Sequence, residues 1–247
     1  PFAFTGNKFE FRMVGSRDSV AEPNVVLNTI VAEAFSEACD VLEQAEDFDM
    51  TVHDLIKKYA SEHQRIVFNG NGYSEEWVEE AKRRGLPNIK TMVDAIPVLT
   101  EEKTVKLFED FGVFTRAELE SRAEIQYETY SKAINIEARS MIDIASKHII
   151  PAVLQYTTAL ASSVNQIREL LKECSSLLAA TKAALKELTE VTDTAGTKAE
   201  GRERAVYIKD VVVPAMEALR HPVDRLEMLV AKDMWPMPSY GDLLFEV

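Results

Sequence analysis

The chain has 247 residues, 46% hydrophobic and 28% charged, a globular composition with room for one large domain or two small ones. A formal net charge of −13 sets its surface against nucleic-acid phosphates. No apolar run approaches the ~18 residues that a membrane helix needs, so neither nucleic acid nor membrane is expected as a partner. Cys39 and Cys174 stand far apart in no ligand-like spacing and read as reduced thiols of a cytoplasmic protein. Four scattered histidines offer no zinc site. No signal peptide opens the sequence, and residue 1 is Pro, so the chain reads as a cut from a longer protein unless a Met has been removed.

The first element is a strand, "GNKFEFRMVG" at 6–15. Phe9, Phe11 and Met13 alternate with Lys8, Glu10 and Arg12, so one face is apolar and the other carries plus, minus, plus. The residues alone leave two readings open, a wet salt-bridged sheet face and a piece of an active site. After a polar turn, Val26, Ile30, Ala34, Ala38 and Val41 give the three-and-four spacing of a helix. Residues 33–49 hold seven acids and no Lys or Arg, which suits a solvated helix face; a cation site is the alternative, although carboxylates spread along a helix rarely converge.

Thr51 is expected to cap a helix to about His63, and "RIVF" at 65–68 has a short β-like pattern. "NGNGYSEEW" follows as a turn; a phosphate-cradling loop would carry a Lys that is missing here. Ser74 is placed to cap the helix "EEWVEEAKRRG", with acids in its first turn, bases in its last and Gly85 as its stop. A short helix bracketed by Pro87 and Pro97 comes next, then one opened by Thr100 and ending near Gly112. "TRAE" at 115–118 is a capping box, Thr115 the cap and Glu118 reaching back.

Helical pattern then continues to about residue 193. Straight, those residues would span about 117 Å at 1.5 Å each, against a radius of gyration near 18 Å for a compact chain of this length. A kink at Pro151 and a turn near "SSVNQ" are therefore expected. Leu170, Leu177, Leu178, Leu185 and Leu188 form a core stripe. "TDTAGTKAEGRE" is a loop, followed by a final helix pair with Pro222 near the start of the second member. Short loops make neighbours antiparallel. The "LLFEV" tail is expected to dock on the body or on a neighbour. The fold class is thus mainly α, an antiparallel long-helix bundle with a short β segment at the N-terminus.

Three stretches, "PFAFTGNKFEFRMVGS" followed by "PNVVLNTIVAE", "RIVFNGNGYSEEWVEEAKRRGLPN", and the ending "WPMPSYGDLLFEV", resemble the C-terminal region of type III glutamine synthetases, in order and across essentially the whole chain. The resemblance implies ATP-dependent ligation of ammonia to glutamate through a γ-glutamyl phosphate, with Mg²⁺ or Mn²⁺, at sites between subunits of a homo-oligomeric ring. In that family the catalytic sheet ends in a strand of pattern basic–apolar–Glu–apolar–Arg, which "KFEFR" fits. By that match Glu10 is a metal ligand, Arg12 is catalytic and holds glutamate or its acyl phosphate, and Lys8 faces the ATP phosphates where relatives often have Arg. Residues 1–45 would be the end of the catalytic domain, 46–114 a short-helix connecting region, and 115–247 the helical bundle and tail. The family's N-terminal domain, most of its catalytic strands and its other metal carboxylates have no counterpart in these residues. The isolated chain is therefore expected to be inactive and to hold no cofactor. Two other readings stand beside this one: a helical oligomerisation or interaction module with no catalytic role of its own, and a free-standing acidic coiled-coil scaffold.

Overall fold

The computed structural model describes residues 2–4, 9–11, 19–162 and 168–245, with backbone alone at 2–4, 9–11, 240 and 245. The described chain is mainly helical. It divides into two compact units, residues 1–120 and 121–247, and the division falls inside one helix.

In the first unit, β1 (Phe2–Phe4) pairs antiparallel with β2 (Phe9–Phe11), placing Ala3 opposite Glu10. Helix α1 (Ala21–Leu42) follows, then α2 (Phe48–Glu62), α3 (Glu75–Arg83), α4 (Met92–Ala95) and α5 (Glu102–Asp110). The start of α2 is set by Asp47, not Thr51: the Asp47 carboxylate accepts the Met50 N–H at 3.0 Å, and Thr51 lies inside the helix donating back to the Asp47 carbonyl. Aspartate reaches the orphan donors of a first turn at least as well as threonine, so the earlier cap wins.

"RIVF" is no strand. Gln64–Ile66 is a 3-10 turn, and Val67 after it is extended. Ser74 sits at the N-cap of α3, but its hydroxyl donates to the Asn71 carbonyl instead of capping. Gly85 ends that helix at φ +69°, a conformation that glycine adopts without strain. Pro97 does not stop the next helix, because Ile96–Thr100 continue as a 3-10 turn in which its missing N–H is no loss. Thr100 closes that turn, and α5 begins after Glu101. The small core of this unit joins Val105, Phe108 and Leu119, with Val25 and Phe114 against it; the Phe108 and Phe114 rings lie 5.5 Å apart.

The second unit is built on three long helical runs. The first comprises α6 (Arg116–Ile144), a π-turn (Ala145–Ile149) and α7 (Ile150–Ala161); the second is α8 (Arg168–Ala195). The third comprises α9 (Arg202–Tyr207), a π-turn (Ile208–Val212) and α10 (Val213–Glu227), and α11 (Tyr240–Phe245) lies in the tail. The capping box opens α6 as expected: Glu118 accepts the Thr115 N–H at 2.8 Å. At Pro151, where a kink is expected, the regular ladder is interrupted by the π-turn Ala145–Ile149 and the helix continues as α7. Of "SSVNQ" at 162–166, where a turn is expected, Ser162 is the C-cap of α7 and the rest lies outside the described residues.

The expected final pair of helices is one run. Pro222 lies inside α10 with its ring buried, so the packing it gains offsets the hydrogen bond it removes. Pairings across the bundle fix the directions. Glu173 near the start of α8 meets Arg225 near the end of α10 at 3.1 Å, while Ala195 at the end of α8 shares a core with Ile208. Leu178 packs with Ile149 and Val153. Neighbouring runs are therefore antiparallel.

The seam is narrow because small residues line it: Ala138, Ala145, Ala195 and Ala215 pack with Leu188, Ile208, Val212 and Leu219. The leucine stripe of α8 faces inward, but the deepest positions also include Cys174, Thr181 and Thr192. The Thr181 hydroxyl donates to the Leu177 carbonyl at 2.9 Å, which makes its burial tolerable. Both cysteines are free, and burial pushes the Cys174 thiol up. In the tail, Trp235 packs against the Ile149–Val153–Leu226 cluster. Leu243 and Leu244 are exposed, so this part of "LLFEV" does not dock on the body.

Candidate functional site

The residues singled out for chemistry lie at the edge of what is described. Lys8 and Arg12 fall outside the described residues, and Glu10 is described by its backbone in β2. A hard divalent ion takes about six oxygens, and Glu10 offers one carboxylate. Among the described residues no group of three or more His, Cys, Asp or Glu could hold a metal ion, the acidic run at 33–49 included. No described helix is long and apolar enough to cross a membrane.

Next to this strand, α1 buries Thr29 and little else. Val26, Ile30, Val31, Phe35 and Val41 on it are exposed, Phe35 by 67%. Of the residues whose spacing predicts the helix, Val26, Ile30, Ala34 and Val41 face solvent and Ala38 is half-buried; Val31 and Phe35 lie on another face. An exposed apolar stripe of this length marks a contact surface.

The "NGNGYS" loop is a rigid turn. The Asn71 side chain accepts the Tyr73 N–H at 3.0 Å. The Phe68 ring stacks on Trp77 at 4.2 Å and closes over Gly70, where an added Cβ would lie 2.7 Å from the ring. Arg84 locks this arrangement. Its guanidinium lies 5.9 and 5.7 Å from the two ring centroids and donates to the Arg65 and Val67 carbonyls. Glu80, held by hydrogen bonds from Arg83 and Arg84, has its carboxyl lowered to about 2. The sequence identifies Arg84 as a base complementing the end of α3; its reach back to residues 65 and 67 depends on the turn before it and has no local signal.

A cavity of about 170 Å³ opens in the bundle between α6 and the loop joining α8 to α9. Ser131, Asn135 and Arg139 line it from α6, Gly196 and Gly201 from the loop, and Arg204 from α9. Ser131 is 6% exposed, and its Oγ has no hydrogen-bond partner. Among the described residues, the buried Thr192 Oγ1 and Trp235 Nε1 lack one too. Gly201 has φ +79° and the Glu124 carboxylate against it; an added Cβ would lie 2.4 Å from Glu124 Oε2. The sequence marks this stretch of α6 only as continuous helix. The available signal is Ser131 itself, a polar residue in register with the buried Tyr127 and Ala138.

Residues 51–168 match the family model of the glutamine synthetase C-terminal domain. The chain is 36% identical to "Type-3 glutamine synthetase" of Dictyostelium discoideum, over 99% of this chain and 36% of that protein. It is 32% identical to "Glutamine synthetase" of Bacteroides fragilis over the same shares, and 34% identical to "Glutamine synthetase" of Butyrivibrio fibrisolvens over 100% of this chain and 37% of that protein. The chain thus spans little more than a third of the length of the curated relatives it matches. With the family-model match and these three alignments in agreement, the chain belongs to the glutamine synthetases, with residues 51–168 matching their C-terminal domain.

Proposed function

We propose that this chain is the C-terminal part of an enzyme that ligates ammonia to glutamate at the expense of ATP, and that it supplies the last catalytic strand to a site completed by the rest of that enzyme. The observation that carries this reading is the alignment of essentially the whole chain to about 36% of proteins named glutamine synthetase. The exposed stripe on α1 supports it, because a catalytic body packed there would bury Val26, Ile30 and Val41, which share one face of the helix. On this reading β1 and β2 are the end of the catalytic sheet, within a domain that ends near residue 45. Residues 46–114 connect, and 115–247 form the added bundle and tail.

In the complete enzyme Glu10 contributes one carboxylate to a Mg²⁺ or Mn²⁺ site, where the ion offsets phosphate charge during transfer. Arg12 offers a planar fork to the glutamate carboxylate or its acyl phosphate, and Lys8 a point charge to the ATP phosphates. The enzyme is cytoplasmic and assembles as a homo-oligomeric ring. Alone, a two-stranded piece of sheet is not a stable catalytic frame, so the 247-residue chain does not turn over.

A second reading, the bundle as an assembly module, is favoured by Ile125 and Ile136. They are exposed by 57% and 64%, and three helical turns apart they share a face of α6.

The test is the mass of the native protein, detected in cell extract with an antibody to the bundle. A chain of about 77 kDa, the 27.7 kDa of this one divided by 0.36, in a large oligomer supports the proposal. A native chain near 28 kDa contradicts it and directs the search to binding.

A further inference from the structure

We propose that the cavity beside Ser131 binds a small monocarboxylate, with Arg139 supplying the charge and Ser131 and Asn135 the neutral hydrogen bonds. Its volume of about 170 Å³ is several times the share of one water and suits a molecule of a few heavy atoms. A void left by imperfect packing is lined by apolar side chains and stays dry. This one has Ala195 and Ile208 in its wall, but beside them stand a hydroxyl, an amide, two guanidiniums, an ammonium and two carboxylates. Buried hydroxyls are partnered as a rule, and Ser131 Oγ is not. Rotation about one bond re-aims a serine hydroxyl, and the ligand would give it the acceptor it lacks.

The charge arithmetic selects the ligand. Lys132 is paired with Glu128 at 2.6 Å. Arg204 donates through Nε and Nη2 to the Lys198 carbonyl and lies 3.4 Å from Glu200. Arg139 has Asp193 at 3.6 Å, beyond the roughly 2.7–2.9 Å of a charge-assisted bond, and both side chains are more than half exposed. Its guanidinium is the one planar fork in the wall with no short bond of its own, and a carboxylate meets it in two parallel bonds. The Glu128 and Glu200 carboxylates in the same wall oppose a dianion, so a phosphate is disfavoured against a monoanion.

The experiment titrates sodium acetate into the full chain at constant ionic strength and follows saturation transfer to the acetate methyl signal. Saturable binding is expected, weakened at least tenfold by Arg139→Gln and several-fold by Ser131→Ala. The Ser131→Ala protein should melt at the same temperature as wild type or higher, since it loses an unpartnered buried hydroxyl, so its loss of binding is not unfolding. Arg139 is exposed, and its variant should also melt as wild type does. Equal binding in all three proteins overturns the proposal, and so does transfer that never saturates. Displacement of acetate by inorganic phosphate as readily as by formate overturns the choice of a monocarboxylate.

Discussion

The backbone N–H of Ile150 donates to the carbonyl of Ala145, five residues back, immediately before Pro151. Val213 donates to Ile208 in the same way, immediately before Pro214. Each π-turn inserts one residue into the helix where a proline ring would otherwise strike the preceding turn, and each keeps its own buried pair, Ala145 with Ile149 and Ile208 with Val212, on the core face. The ring is thus already accommodated. Pro151→Ala should change unfolding free energy by less than about 1 kcal/mol in urea titration, whereas Ala184→Pro in the uninterrupted α8 should cost about 3 kcal/mol or more. A gain of about 3 kcal/mol from Pro151→Ala would mean that the proline strains the helix after all.

The narrow seam of the bundle makes its few large side chains costly to lose. Leu188 is fully buried among alanines that cannot move in to fill a gap. Leu188→Ala should destabilise by about 2–5 kcal/mol. Met228 is 78% exposed, and Met228→Ala should stay within about 0.5 kcal/mol. Urea midpoints at unchanged slope give both values.

Two half-buried carboxylates make local structure acid-sensitive. Glu80 accepts from Arg83 and Arg84 and is lowered to about 2. Asp242 accepts the Ser239 N–H and hydroxyl and the Lys232 ammonium, and is also lowered to about 2. A carboxyl lowered in the folded state contributes stability that is present above its unfolded pKa and is lost as pH falls through the folded one. The window is therefore from about 4.5 down to about 2 for Glu80, and from about 3.8 down to about 2 for Asp242. In a Trp235→Phe protein, Trp77 emission should change in that window, and Glu80→Gln should show the low-pH emission already at pH 7. A transition centred above pH 5 would place the cause elsewhere.

Much of the helical layout is legible from local chemistry. Thr115 and Glu118 announce α6, and Gly85 and Gly112, both at positive φ, end α3 and α5. The misreadings have physical causes. Thr51 loses to Asp47 because two cap-forming residues compete within one turn. Pro151 is read as a kink and Pro222 as near a helix start, since a lone sequence carries no sign of the π-turn before the one or of the packing that keeps the helix going through the other. The stripe of α1 is correctly periodic yet faces solvent: periodicity states that a face is apolar, not what covers it. The cavity is illegible because Ser131 and Arg139 meet Gly196 and Gly201 only through the fold. The strand "KFEFR" is the reverse case, a site suggested by resemblance alone, with Lys8 and Arg12 outside the described residues.

The central claim is that Glu10 and Arg12 serve a site that this chain cannot complete by itself. The most direct measurement is glutamine formation from glutamate, ammonia and Mg–ATP by three proteins: the complete enzyme, the complete enzyme carrying Glu10→Ala, and the 247-residue chain. The account predicts turnover by the first, a loss of at least about a thousandfold in the second (on the order of 4 kcal/mol of barrier), and none by the third. Turnover by the isolated chain at the rate of the complete enzyme, or full activity of the Glu10→Ala enzyme, would contradict it.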